Sequence, residues 1–274
     1  MMAGTFSLGL NDVIVKGLSF KFPLWEIVFF RAFSGVIVSL CLVFYFGISS
    51  LKTKKPIAHT IRAFSSVGCV VLFFFGIKYL LLSENQAIFH SAPIIATLLA
   101  IPILGEKVSF QRLLVIILGF IGVLIILKPG TDFFKIYSLL PLGSACFMAV
   151  AYLSTRYLMN TESSISIIFY YSFALLFTSL VFFPTDFIYP SFYEMTPLFI
   201  TGIIGSIGHY FLSQAAKNAE VKVITPFEYS SFIFVTVLAY IFFNEVPDIT
   251  IYIGIIFIIF SGIYLVYREQ QNNL

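Results

Sequence analysis

Charge is the first thing this sequence lacks. Aspartate, glutamate, lysine and arginine make up 11% of its 274 residues, against roughly 25% in an ordinary soluble domain. Cysteine is scarce as well: Cys41, Cys69 and Cys146 stand far apart in apolar runs. Three scattered cysteines make neither a disulfide framework nor a CxxC metal site, and all three read as packing residues. Also missing are a P-loop, an HExxH motif, a Gly-x-Ser-x-Gly elbow and paired aspartates in glycine-rich helices. Nucleotide hydrolysis and intramembrane hydrolysis therefore lack their usual groups. The net charge of +3 is too small to mark a nucleic-acid surface. No nucleic-acid partner, metal or cofactor is expected.

What the chain has is apolar length. Hydrophobic residues make up 59% of it, with 34 phenylalanines and 15 tyrosines, and the mean hydropathy is +1.01. A soluble core of this size cannot hide that much apolar surface. The pattern predicts an all-α integral membrane protein, since a helix needs roughly 20 apolar residues to cross the hydrocarbon. Ten spans are expected, at about 1–20, 25–46, 61–82, 85–104, 110–128, 136–157, 163–183, 193–215, 222–243 and 248–267. Turn chemistry separates them in ISSLKTKKP, GEKVS, KPGTD, PTDFIYPS and NEVPD. The first span lacks the basic lead and small-residue cleavage site of a signal peptide and is expected to stay. With the N-terminus inside, ten lysines and arginines face the cytoplasm and five face outward, which favours cytoplasmic N- and C-termini. The expected location is the inner (plasma) membrane of a bacterium, with the lipid bilayer as the standing partner.

The two halves repeat. At an offset of 139 (217 − 78), residues 78–106 lie on 217–245 without a gap, matching Lys78 with Lys217, Ser91 with Ser230, Thr97 with Thr236 and Glu106 with Glu245. At an offset of 140 (156 − 16), Lys16 lies on Arg156, Phe29 on Phe169 and Phe33 on Phe173. The expected units are residues 1–130 and 131–274, each with five helices. Five is odd, so the second unit enters the membrane from the opposite side, and a pseudo-two-fold axis lies in the membrane plane. Two inverted copies can exchange shapes, which is what alternating access requires of a transporter.

The chain resembles the EamA-type branch of the drug/metabolite transporter superfamily over nearly its whole length. The resemblance rests on the two five-helix repeats, NDVIVK in the first span and FFR (29–31) in the second. It rests also on the helix-ending GE (105–106) and NE (244–245), and on GFIGVLIILKPG (119–130). Within the superfamily, NDVIVK followed by WEIVFFR is most similar to bacterial S-adenosylmethionine uptake transporters. The resemblance implies a secondary transporter of a small polar metabolite, with a central cavity near mid-membrane. It implies a small-molecule substrate and either a coupling ion such as the proton or a counter-substrate. Export of amino acids, other metabolites or drugs, and flipping of a lipid-linked substrate, are the alternatives the same fold implies. Where the S-adenosylmethionine carriers tend to have a basic residue after the Pro-aromatic pair of the ninth span, this chain has Glu228 in ITPFEYSS.

The candidate substrate-binding residues are the polar groups inside the spans: Asn11, Asp12, Arg31, His90, Glu228 and Tyr229. Asp12 and Lys16 stand at i,i+4 and are expected to form a structural ion pair. Arg31 keeps its charge anywhere and must find carboxylates or carbonyls; its repeat partner is Tyr171. His90 and Tyr229 are repeat partners at matching depths from opposite faces, with Glu228 beside them. Gln86, Gln214 and His209 are weaker candidates. Glu106 and Glu245 end their spans and are expected to cap neighbouring helix N-termini.

Overall fold

The computed structural model describes residues 1–104, 110–129, 135–158, 161–183, 186–218 and 225–272. Regular structure among the described residues is entirely helical. Helices start and stop where local chemistry directs. α1 (Met2–Ser19) is followed at once by α2 (Leu24–Phe46), whose N-cap is Pro23. Gly47 ends α2 at φ 90°, in the left-handed region that favours glycine. Pro56 opens α3 (Pro56–Tyr79) in the first turn, where a missing N–H breaks no helix bond. This start lies five residues before the expected one (61 − 56), and it carries Arg62 into the body of the helix.

The fourth span is two helices, α4 (Leu82–Phe89) and α5 (Ala92–Leu104), with the break at His90 and Ser91. Pro93 has no N–H to donate back across the break, and it disfavours a helical conformation in the residue before it. Neither piece crosses a membrane alone: at 1.5 Å per residue, α4 rises only about 12 Å. α6 (Phe110–Leu127), α7 (Leu139–Leu158), α8 (Ser164–Val181) and α9 (Phe192–Asn218) follow. Ser163 caps α8 by accepting the Ser166 N–H. The ninth span repeats the design of the fourth, with a 3₁₀ turn over Thr225–Tyr229 running into α10 (Ser230–Phe243). Asn244 closes α10 in the left-handed conformation at φ 53°, its N–H returning to Tyr240 O. α11 (Ile249–Asn272) is the last helix. Among the described residues, five helices are long and apolar enough to cross a membrane on their own.

Packing follows the two-fold relation. Helices α1, α2, α3, α4–α5 and α6 correspond to α7, α8, α9, α10 and α11. The contact of α3 with α7 has its twin in α1 with α9, and α2 with α9 is matched by α3 with α8. Likewise α1 against α10 is matched by α5 against α7, while α2 with α8 and α6 with α11 are their own twins. Close approach depends on glycine at a few crossings. A Cβ on Gly202 would strike Ser34 Oγ and Arg31 O across the α2–α9 contact. One on Gly122 would come within 2.6 Å of Gly254 O between α6 and α11. Apolar packing in a membrane has no water to expel, so such small-residue contacts supply much of the attraction.

Candidate functional site

The polar side chains of the spans gather into one inner network and two end networks. At its centre Arg31 Nη1 donates to Asn11 Oδ1, and Asn11 Nδ2 donates to Thr201 O, tying α2, α1 and α9 together. Asn11 is fully buried and Arg31 is 6% exposed. The guanidinium lies 5.1 Å from the Phe74 ring centroid and packs over Gly205. Asp12 is half-buried, within electrostatic range of Arg31 and Cys69. Arg31 therefore meets a carboxamide and a nearby carboxylate, as a buried guanidinium must.

Lys16 corrects the expectation made for it. Its ammonium pairs with Glu245, not Asp12, and donates to Leu80 O at 2.9 Å. Glu245 Oε2 also accepts the N–H of Leu82, the first residue of α4, at 2.7 Å. The lysine reaches toward the nearer membrane face, where Glu245 is already held by a helix N-terminus. The glutamate thus caps a neighbouring helix as expected, while its counterpart Glu106 lies outside the described residues.

A second carboxylate stands across the interior. Tyr152 donates to Glu228 Oε2 at 3.1 Å. Tyr152 is the repeat counterpart of Asp12 (152 − 140 = 12), so equivalent positions on α7 and α1 both face the inner network. His90 and Tyr229 come together, with ring centroids 5.3 Å apart. Both lie at the breaks of the composite spans. His90 Nε2 contacts Ser231 Oγ at 3.1 Å, and Gln86 Nε2 donates to the same hydroxyl at 3.1 Å. Tyr229 is turned into the apolar cluster formed with Ile251, Ile255 and Ile258, its hydroxyl against Gly262. Its hydroxyl has no hydrogen-bond partner. His209 stacks edge-on against Tyr171 at 5.5 Å.

Arg62 belongs to the interior although its place in the sequence suggests a loop end. Its Nε donates to Thr155 Oγ1 at 2.9 Å, and it lies within electrostatic range of Tyr171 and Cys69. The signal was Pro56: a helix that begins there has residue 62 two turns inside. The interior thus holds two arginines, Arg31 and Arg62, and two carboxylates, Asp12 and Glu228.

All ion pairs among the described residues join one half of the chain to the other. On the face of the α1–α2 turn these are Lys16–Glu245, Lys21–Glu194, Lys128–Asp248 at 2.6 Å and Lys135–Glu84 at 2.9 Å. Glu26 adds a hydrogen bond from Ile188 N at 3.1 Å. Asp248 lies in the turn before α11, and the Lys128 ammonium holds its carboxyl below the ordinary carboxylate range. On the face of the α2–α3 loop, His59 meets Glu162 at 3.4 Å, and Glu162 Oε1 accepts Lys54 N–H at 2.9 Å. Burial raises the Glu162 carboxyl, but the Lys54 N–H and His59 outweigh it and hold the carboxyl low. Lysine–carboxylate pairs join the halves at the face of the α1–α2 turn; at the opposite face Lys55 Nζ also donates to Tyr157 O at 3.2 Å, Ser163 Oγ to Ser50 O at 2.7 Å and Tyr170 Oη to Leu51 O at 3.0 Å.

This architecture matches known proteins. The family described as "EamA-like transporter family" matches residues 1–128 and again 135–268. The S-adenosylmethionine uptake transporter of Rickettsia prowazekii (strain Madrid E) is 29% identical over 263 residues, covering 96% of this chain and 90% of that protein. The pseudopaline exporter CntI of Pseudomonas aeruginosa (strain UCBPP-PA14) is 26% identical over 261 residues, covering 93% and 90%. The riboflavin transporter of Vibrio cholerae serotype O1 is 24% identical over 259 residues, covering 93% and 87%. A solved crystal structure with 14% identity shares the fold at a TM-score of 0.63, covering 94% of both chains. With both halves matched, no catalytic motif and relatives that are transporters, the chain belongs to the EamA-like transporter family.

Proposed function

We propose that this protein carries S-adenosylmethionine, or a metabolite of the same charge pattern, across the inner membrane by alternating access. The observation that carries the proposal is the balanced set of interior charges, two arginines and two carboxylates, in a chain similar end to end to S-adenosylmethionine carriers. S-Adenosylmethionine bears a carboxylate, an ammonium and a sulfonium, so it needs partners of both signs. Asp12, with Asn11 and Arg31, forms one side of the site. Glu228, with Tyr152 and the nearby His90, forms the other.

The ion pairs suit the cycle. A seal made of charges can part at moderate cost, because water entering the opened side rehydrates each partner. An apolar seal has no such compensation. With both termini cytoplasmic, the face closed by Lys16–Glu245 is the outer one. Free energy then comes from a counter-substrate or from a proton carried at Glu228 or His90.

Uptake of labelled S-adenosylmethionine into proteoliposomes, with and without S-adenosylhomocysteine inside, tests the reading. Saturable uptake accelerated by the preload is the expected result, and it identifies exchange. Absence of uptake by folded protein in both conditions overturns the substrate. Export is the second reading, favoured by the similarity to the pseudopaline exporter over nearly the same span. Uptake confined to inside-out vesicles would select it.

A further inference from the structure

The two-fold relation builds one kind of junction twice. At one face the α1–α2 turn meets the start of α9, where Lys21 pairs with Glu194. At the other face the α7–α8 turn meets the start of α3, where Glu162 faces His59 at 3.4 Å. The turns correspond and so do the helices, but the chemistry differs. Lysine and glutamate both stay charged between about pH 5 and 8, whereas an exposed imidazole titrates near about 6.5. The face of the α2–α3 loop therefore carries the titratable version of the junction.

His59 is 3% exposed and Glu162 is 6% exposed. Neither ring nitrogen of His59 has a hydrogen-bond partner, and Glu162 Oε2 has none, so their contact is not an aligned hydrogen bond. Glu162 Oε1 accepts the Lys54 N–H at 2.9 Å. Tyr170 of α8 lies against the imidazole, ring centroids 4.9 Å apart, and donates its hydroxyl to Leu51 O. Arg62, nearly one turn further along α3, acts on His59 with charge of the same sign as an imidazolium, and it donates to Thr155 and Ser66. Lys55 donates to Tyr157 O on α7. Lysine, arginine and tyrosine keep their charge states between about pH 5 and 8, and Glu162 is held low. The histidine is the group of this junction that changes charge in that range.

A neutral imidazole can be buried unpaired at modest cost. An imidazolium has two N–H donors and a charge to satisfy. Here it would find one carboxylate, poorly aligned, with Arg62 opposing it. Once the junction parts, water reaches both nitrogens and the ring takes a proton freely.

We propose that His59 makes the junction between α3 and the α7–α8 turn a pH-released latch: acid charges the imidazole in the parted form and draws this face open. The Lys21–Glu194 junction at the other face stays indifferent to the same change. The inference rests on the two-fold packing and not on the identity of any substrate.

Hydrogen–deuterium exchange of the full chain in detergent tests it, with rates corrected for the intrinsic effect of pH. Between about pH 7.5 and 5.5, protection of residues 48–58 should fall about tenfold, the charged-to-neutral ratio of an imidazole one unit below about 6.5, while residues 187–195 should change less than about twofold. His59→Gln should abolish the fall. Glu162→Gln keeps the imidazole and should keep a fall. Wild-type protection of 48–58 that holds or rises on acidification, an equal fall in 187–195, or a fall that survives His59→Gln would overturn the latch. Both segments are read within one wild-type molecule, so the comparison decides the matter even where His59→Gln does not fold. Failure of S-adenosylmethionine uptake would sink the transport reading and leave this result standing.

Discussion

Asn11 ties α2 to α9 through one carboxamide, its oxygen taken by Arg31 and its nitrogen spent on Thr201 O. Asn11→Ala leaves a buried guanidinium donor and a buried carbonyl without partners. We expect a loss of about 2–4 kcal/mol, read as a lower melting temperature in detergent. At this scale the sequence located polar residues well and their partners poorly. Asn11, Asp12 and Arg31 stood out because each is expensive in lipid. Glu245 could not be matched to Lys16 by spacing, because the partners lie more than two hundred residues apart and only the two-fold packing joins them. A trace existed in the repeat, which keeps a basic residue at 16 and 156 and a carboxylate at 106 and 245. The pairing of His90 with Tyr229 was legible in the repeat, and their rings lie 5.3 Å apart; that Tyr229 also packs among Ile251, Ile255 and Ile258 was not.

Among the elements, the composite fourth and ninth spans and the glycine crossings control geometry. Gly202→Ala puts a methyl into Ser34 and the α2 backbone. It should separate α2 from α9, lower stability by about 1–3 kcal/mol and reduce transport. Gly17→Ala is the opposite case: its Cβ meets only the Phe243 ring, at 4.0 Å, so removing a helical glycine should stabilise by up to about 1 kcal/mol. Paired melting curves check both signs. Lys16→Ala strands Glu245 beside the α4 N-terminus and should cost about 3–5 kcal/mol, whereas the exchange Lys16→Glu with Glu245→Lys should recover part of the loss. At the other end, the depressed Glu162 carboxyl contributes stability that is complete above the ordinary glutamate value near 4.3 and fades as pH falls through its lowered one. The difference in melting temperature between wild type and Glu162→Gln should therefore shrink on acidification. Helix breaks were not legible in the hydropathy pattern: the apolar run of the fourth span continues through the break at His90 and Ser91 that separates Leu82–Phe89 from Ala92–Leu104.

For the whole molecule, the inverted five-helix repeat was the most legible feature, because it is written in matched letters rather than in propensities. The lysine–carboxylate seal at one face was not, since it assembles residues from both halves. Together they describe a two-fold-related helical protein whose halves are joined by lysine–carboxylate pairs at the face of the α1–α2 turn. The direct test is the initial rate of labelled S-adenosylmethionine uptake into proteoliposomes by wild type beside Asp12→Asn and Glu228→Gln, all shown to be folded. The account predicts saturable uptake by wild type and at least about a tenfold loss in each variant, the effect of losing one charged contact. Wild-type rates in both variants, or no uptake by the wild type, would contradict it.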